Sequence, residues 1–145
     1  MTELLFRRLD PGAALPGAQH AGDAGLDLCA NVDVEVLPGE RAMIPTGLAV
    51  AIPGGHAGLV LPRSGLASKR GLTLANSPGL IDAGYRGEVI VAAVNLDRAE
   101  AVKVVRGDRI AQLVVVALPA VEPRWVDELP ATERGEDGFG STDPS

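Results

Sequence analysis

The chain reads as an all-β protein, and three observations predict it. Its 145 residues include 18 glycines and 11 prolines, aromatic residues make up only 3%, and short apolar runs alternate with turn signals along most of the length. Long helices need sustained 3.6-residue periodicity free of glycine and proline, whereas many brief strands joined by turns tolerate both. One domain of this size can bury a core of its own.

Taken in order, Leu4 to Arg7 predicts a first strand and Pro11 to His20 a loop. Cys29 sits in the apolar alternation of Leu26, Leu28 and Ala30, so it reads as a small core or strand residue; as the sole cysteine it has no partner within the chain. Val32, Val34 and Val36 alternate with polar neighbours, and Pro38-Gly39-Glu40 turns the chain toward two short strands, Ala42 to Ile44 and Leu48 to Ile52. A second turn at Pro53 to His56 precedes the strand Leu59 to Leu61. Arg63 to Gly71 is the exception to the strand pattern: Ser64 is placed to cap a short helical turn that Gly71 stops. Leu72 to Ala75 and Val89 to Val94 flank Asn76 to Gly87, which holds three glycines and a proline, so the whole predicts a glycine-rich β-hairpin. Val102 to Val105 and Ile110 to Leu118 are the last strands, separated by the turn Arg106-Gly107-Asp108. Apolar periodicity ends near Val126. The expected division is a folded domain over 1–130 and a C-terminal arm over 131–145, which reads either as a frayed end or as a segment that closes over something.

The formal charge of -6 argues against a surface that coats nucleic acid, which requires a broad basic face, but leaves room for one small anion held by a local arginine cluster. No run reaches membrane-spanning length and the N-terminus has the wrong order for a secretory signal, so the expected setting is cytoplasmic with neither membrane nor nucleic acid as partner. Within the hairpin, glycine allows backbone N–H and C=O groups to approach a flat polar molecule, with Tyr85 walling one side. On local sequence alone Asp82 reads first as a residue that hydrogen-bonds its own turn. Arg63, Ser64 and the start of a short helix suit phosphate oxygens.

Five collinear segments then resemble one family, the trimeric deoxyuridine triphosphate nucleotidohydrolases (dUTPases). They are Ala21-Gly22-Asp23-Ala24-Gly25-Leu26-Asp27-Leu28, Pro62-Arg63-Ser64-Gly65-Leu66-Ala67, Gly79 through Gly87, Gly107-Asp108-Arg109-Ile110-Ala111-Gln112-Leu113, and Arg134-Gly135-Glu136-Asp137-Gly138-Phe139-Gly140-Ser141-Thr142. The resemblance implies a jelly-roll-like β-barrel, a homotrimer with active sites between subunits, and Mg²⁺-dependent hydrolysis of dUTP to dUMP and pyrophosphate, which limits uracil in DNA and supplies dUMP for thymidylate synthesis. It also reverses the local reading of Asp82, which becomes the base that activates water for in-line attack on the α-phosphorus.

By the same resemblance, uracil is received by the hairpin backbone around Gly79 and Ile81 with help from Asn76, while Tyr85 packs on the deoxyribose. Arg63, Ser64, Gly65 and Gln112 attend the phosphates, although Gln112 reads equally well as a structural strand residue. Asp27 holds Mg²⁺ through its waters, and Asp23 stays between that site and an ordinary loop role. Arg134, Phe139, Gly140, Ser141 and Thr142 are carried by an arm that closes over a neighbouring subunit's site, Phe139 stacking on the base. The family places glycine where this chain has Asp143, a departure expected to weaken closure of the arm slightly. Two other readings use the same fold: a dCTP deaminase, whose catalytic Glu falls at Ala92 here, and a nucleotide-binding trimer without turnover.

Overall fold

The computed structural model describes residues 2–140. Ten strands and one short helix follow in the order β1 (Leu5–Arg8), β2 (Leu26–Cys29), β3 (Val34–Val36), β4 (Arg41–Ala51), β5 (His56–Leu61), α1 (Ser64–Arg70), β6 (Leu72–Leu74), β7 (Gly79–Ile81), β8 (Glu88–Asn95), β9 (Val102–Val104) and β10 (Arg109–Ala117). All pairings are antiparallel. One sheet runs β1-β4-β8-β6, a second β2-β10-β5-β7, and β3 pairs with β9 as a two-stranded third. This is the all-β, jelly-roll-like class that the composition and motifs predict.

Alternation produces the core. In β8 every second residue is buried, Val89, Val91, Ala93 and Asn95, and in β10 Ile110, Ala111 and Leu113 point inward. With Leu28, Ile44, Val50 and Val102, these close-packed side chains fill the space between the sheets. Asn95 is, with Thr46, one of two buried polar residues among those described, and its side chain is fully paired: its amide donates to the carbonyls of Val36 and Glu100, both at 2.9 Å, and its Oδ1 accepts from the Asp97 N–H at 2.9 Å. Cys29 is half-buried, and burial pushes its thiol pKa up, as suits a packing residue rather than a nucleophile.

Three local expectations are corrected. The two strands expected over Ala42 to Ile44 and Leu48 to Ile52 are one strand, β4, because Pro45-Thr46-Gly47 forms a bulge rather than a break. Gly47 sits at φ 71°, and the bulge's carbonyls are taken up by neighbours, Leu9 N–H on Gly47 O and Asn31 N–H on Pro45 O. Second, Ser64 does not cap the helix: Arg63 is the N-cap residue, without a side-chain cap, and Ser64 opens the first turn. Gly71 ends the helix at φ 75°, as expected. Third, the glycine-rich hairpin is not a simple reversal. β6 and β8 do pair, but their connection carries β7, which crosses to pair with β5 in the opposite sheet.

Candidate nucleotide site

Two concave regions collect most of the residues that the sequence singles out. The first, a groove of about 610 Å³, is lined by Asp27, Arg63, Ser64, Gly65 and Gln112 together with Asp23. It forms where α1 leaves β5, beside the β2–β10 pair that brings Gln112 opposite Asp27. Gln112 Nε2 donates to the Pro62 carbonyl at 3.0 Å, which orients the amide, and any side chain at Gly25 would collide with Gln112 Oε1. Gln112 therefore has a structural bond and also lines the groove. Asp23 Oδ2 accepts from the His20 N–H at 2.9 Å, closing its loop at the groove's edge.

Asp27 is the electrostatic centre of this groove. Its side chain is 15% exposed, with Arg63 Nε 3.3 Å from one carboxylate oxygen and Arg109 Nε 3.8 Å from the other. Gln19 Nε2 donates to Oδ2 at 2.9 Å. Arg63 also reaches the Arg109 carbonyl at 3.4 Å. Neither the role of Arg109 nor that of Gln19 is legible in the sequence: Arg109 lies inside the Gly107–Leu113 segment, while Gln19 sits in a loop with no signal of its own. The helix offers Ser64, Gly65 and Leu66 N–H groups, which a first turn leaves without internal partners, and it has no acid there to compete with an anion.

The second region, a pocket of about 290 Å³, is lined by Asn76, Gly79, Ile81, Asp82, Tyr85 and Glu88. Here the chemistry of the hairpin becomes visible. The turn at its tip is closed by main chain, Tyr85 N–H on Asp82 O at 3.1 Å, and braced by Arg86, whose guanidinium donates to the carbonyls of Ala83 and Tyr85 at 2.7 and 2.8 Å. Among the described residues the Asp82 carboxylate has no hydrogen-bond partner, so the turn leaves it free, against the purely local reading. Gly79 approaches Asn76 and Val60 so closely that a side chain there would press on both. Ala92 lines the same pocket and brings no carboxylate to it.

The two regions share no lining residue. Arg134, Phe139 and Gly140 line neither of them. Arg134 Nε donates to the Asp137 carbonyl at 2.8 Å within a local turn, and Phe139 is wholly exposed at φ 48°. Ser141, Thr142 and Asp143 lie outside the described residues. Between Leu118 and Leu129 the chain has no strand or helix, and Val121, Trp125 and Leu129 are exposed; the last strand ends at Ala117, short of the expected boundary at 130.

No group of three or more His, Cys, Asp or Glu side chains that could hold a metal occurs among the described residues. Asp27 alone could not bind a bare cation. A single carboxylate lining the groove does suit a hydrated Mg²⁺, an ion that keeps several waters and takes further oxygens from phosphates.

A groove edged by arginines and free helix N–H groups, and a mainly apolar pocket carrying Asn76, Asp82, Tyr85 and Glu88, sit on an antiparallel jelly-roll-like fold, an all-β protein of a class suited to hold a nucleotide. Comparison narrows this to one family. The dUTPase family model matches residues 12–143. The deoxyuridine 5'-triphosphate nucleotidohydrolase of Streptomyces coelicolor is 56% identical across 97% of this chain and 76% of its own. That of Mycobacterium tuberculosis is also 56% identical, across 97% of this chain and 95% of its own. Among solved structures, a variant of the Staphylococcus bacteriophage 80alpha dUTPase with dUpNHpp superposes with a TM-score of 0.90 at 32% identity, covering 98% of this chain and 99% of that one. A variant dUTPase from phage phi11 of S. aureus, described with a structural Mg(II) ion, gives a TM-score of 0.81 at 31% identity over 88% of this chain and 98% of that one. The chain belongs to the dUTPase family.

Proposed function

We propose that the protein hydrolyses dUTP to dUMP and pyrophosphate, with Asp82 as general base. The observation that carries the reading is the free Asp82 carboxylate in the pocket of Asn76, Gly79 and Tyr85, on a turn already closed without it. The base and sugar occupy this pocket: Asn76 and the Gly79–Ile81 backbone meet uracil's polar edge, and the Tyr85 ring faces the deoxyribose. A water between Asp82 and the α-phosphorus gives up its proton to the carboxylate as it attacks, in line with departing pyrophosphate; such proton transfer contributes about 10²–10⁴-fold.

The triphosphate binds against Arg63, Ser64, Gly65 and Gln112. On anion binding Arg63 exchanges the Asp27 carboxylate for phosphate oxygens, and Asp27 is left to hold the waters of Mg²⁺. Held through its waters by Asp27, Mg²⁺ would supply charge neutralisation on the triphosphate. Arg134, Phe139, Gly140, Ser141 and Thr142 complete the enclosure from the arm over 131–145, which closes on the folded domain of 1–130.

Groove and pocket have separate linings in one chain, so the phosphate and base sites of one dUTP are read as coming from two copies of the chain. A homotrimer that sets the pocket of one subunit against the groove of the next meets this need, and the apolar side chains exposed around the pocket, Met43, Leu80 and Ile90, are then covered. A deaminase would need a carboxylate where Ala92 stands.

The test is incubation with dUTP and Mg²⁺ followed by assay of pyrophosphate and dUMP. Stoichiometric release of both is expected. Tight dUTP binding without pyrophosphate would replace hydrolysis with the non-catalytic nucleotide-binding reading, and dUTP formation from dCTP would replace it with deamination.

A further inference from the structure

The Tyr85 ring is held by more than its own turn. Its hydroxyl donates to the main-chain carbonyl of Glu88 at 2.9 Å, folding the ring back across Gly87, where any side chain would strike the phenol. The position of Glu88 is in turn set from β4. Its carboxylate Oε1 accepts the Gly47 N–H at 3.1 Å, and one residue on, the Val89 carbonyl accepts the buried Thr46 hydroxyl at 2.6 Å. Both donors belong to the Pro45-Thr46-Gly47 bulge, where the β4–β8 register shifts and the ordinary ladder bonds are missing. The two side-chain bonds stand where main-chain pairs would otherwise fix the start of β8.

We propose that Glu88, with Thr46, is a positioning residue for Tyr85: the bulge of β4 holds the start of β8 so that the carbonyl receiving the Tyr85 hydroxyl stays in place, and sugar selectivity depends on that tether. Glu88 lines the nucleotide pocket, but its bonded oxygen faces a backbone N–H rather than reacting atoms. Its carboxylate therefore acts as an acceptor and not as an acid or base, and glutamine can replace it. The functional half of this inference rests on Tyr85 facing the deoxyribose; the structural half does not.

The chain has one tyrosine, so labelling with [13Cζ]tyrosine gives a single phenol signal that reports the tether without substrate. Glu88→Ala, Glu88→Gln and Thr46→Val are compared with the full-length protein in that spectrum, and kcat/KM is measured for dUTP and UTP. Glu88→Ala and Thr46→Val should each move the phenol signal and lower the dUTP/UTP preference by about threefold to tenfold, the worth of one hydrogen bond, while Glu88→Gln stays near wild type in both. Tyr85→Phe, which keeps the ring and removes the tether, should match Glu88→Ala in preference, and it serves if the other variants fold poorly. An unmoved phenol signal in Glu88→Ala and Thr46→Val overturns the tether, whatever the substrate. A dUTP/UTP preference that falls in Glu88→Gln as far as in Glu88→Ala overturns the positioning role in favour of the carboxylate's charge. A moved signal with wild-type protein that does not distinguish dUTP from UTP overturns the link to selectivity and, separately, the sugar-facing reading of Tyr85.

Discussion

Replacing Asn95 by alanine should destabilise the protein by about 3 kcal/mol without changing its chemistry. The side chain is fully buried and makes three hydrogen bonds, one in the buried interior to Val36 O and two partly buried, to Glu100 O and from Asp97 N–H. Alanine leaves all three backbone groups without that partner. An unsatisfied buried group costs about 1–3 kcal/mol, and partial access to water reduces the toll at the other two, so roughly 2 kcal/mol plus about 0.5 kcal/mol twice is expected. For a chain of this length that lowers Tm by about 6–12 °C. Asn95→Asp should be at least as harmful near neutral pH, because it keeps the acceptor for Asp97 but turns a carboxylate toward two carbonyls. Thermal and urea unfolding at fixed protein concentration measure the loss, since assembly adds its own stabilisation. Asn95 lines neither the groove nor the pocket, so kcat for dUTP should be unchanged at a temperature where the variant is folded. A loss under about 1 kcal/mol would refute the argument that these three bonds tie the end of β8 to the end of β3 and to the 97–100 turn.

Deleting 133–145 should leave folding and assembly intact, since the described part of that segment contributes no strand and no buried apolar side chain, yet turnover should collapse if the arm closes the site. Size-exclusion chromatography with a pyrophosphate assay separates the outcomes: normal hydrolysis makes the tail a frayed end, and lost assembly makes it structural. Tyr85→Ala should admit UTP more readily while still rejecting dCTP, because cytosine meets the Asn76 and hairpin groups with two mismatched positions, each costing about 1–3 kcal/mol, independent of the ring. Equal relaxation toward UTP and dCTP in kcat/KM would refute that division of labour.

The strands were legible wherever alternation was clean, as in β8 and β10, because burial of every second residue leaves a direct trace in sequence. The bulge in β4 was not: Pro45 and Gly47 resemble a turn, and the bonds that hold the strand through it run to distant parts of the chain, from Leu9 and Asn31 and to Val89. β7 was hidden for a related reason, since three residues pairing with a strand of the other sheet carry no local period. At the site, the motif residues Asp27, Arg63, Ser64, Gly65 and Gln112 do come together, and so do Asn76, Gly79, Ile81, Asp82 and Tyr85. Their separation into two regions could not be read from collinear motifs, which say nothing of which surface each one faces. Gln19, Arg86 and Glu88 went unread because each acts on a neighbour's carboxylate, carbonyl or N–H, a role without a sequence signature.

The most direct test of the central claim is Asp82→Asn, assayed for dUTP binding and for pyrophosphate release in the presence of Mg²⁺. The Asp82 carboxylate is exposed and has no partner among the described residues, so the amide should cost the fold nothing and leave binding within a few-fold of wild type. It cannot take the proton of the attacking water. The account predicts a fall in kcat of about 100-fold or more with the dUTP Kd nearly unchanged; turnover within about threefold of wild type would contradict it, since no general base would then be missing.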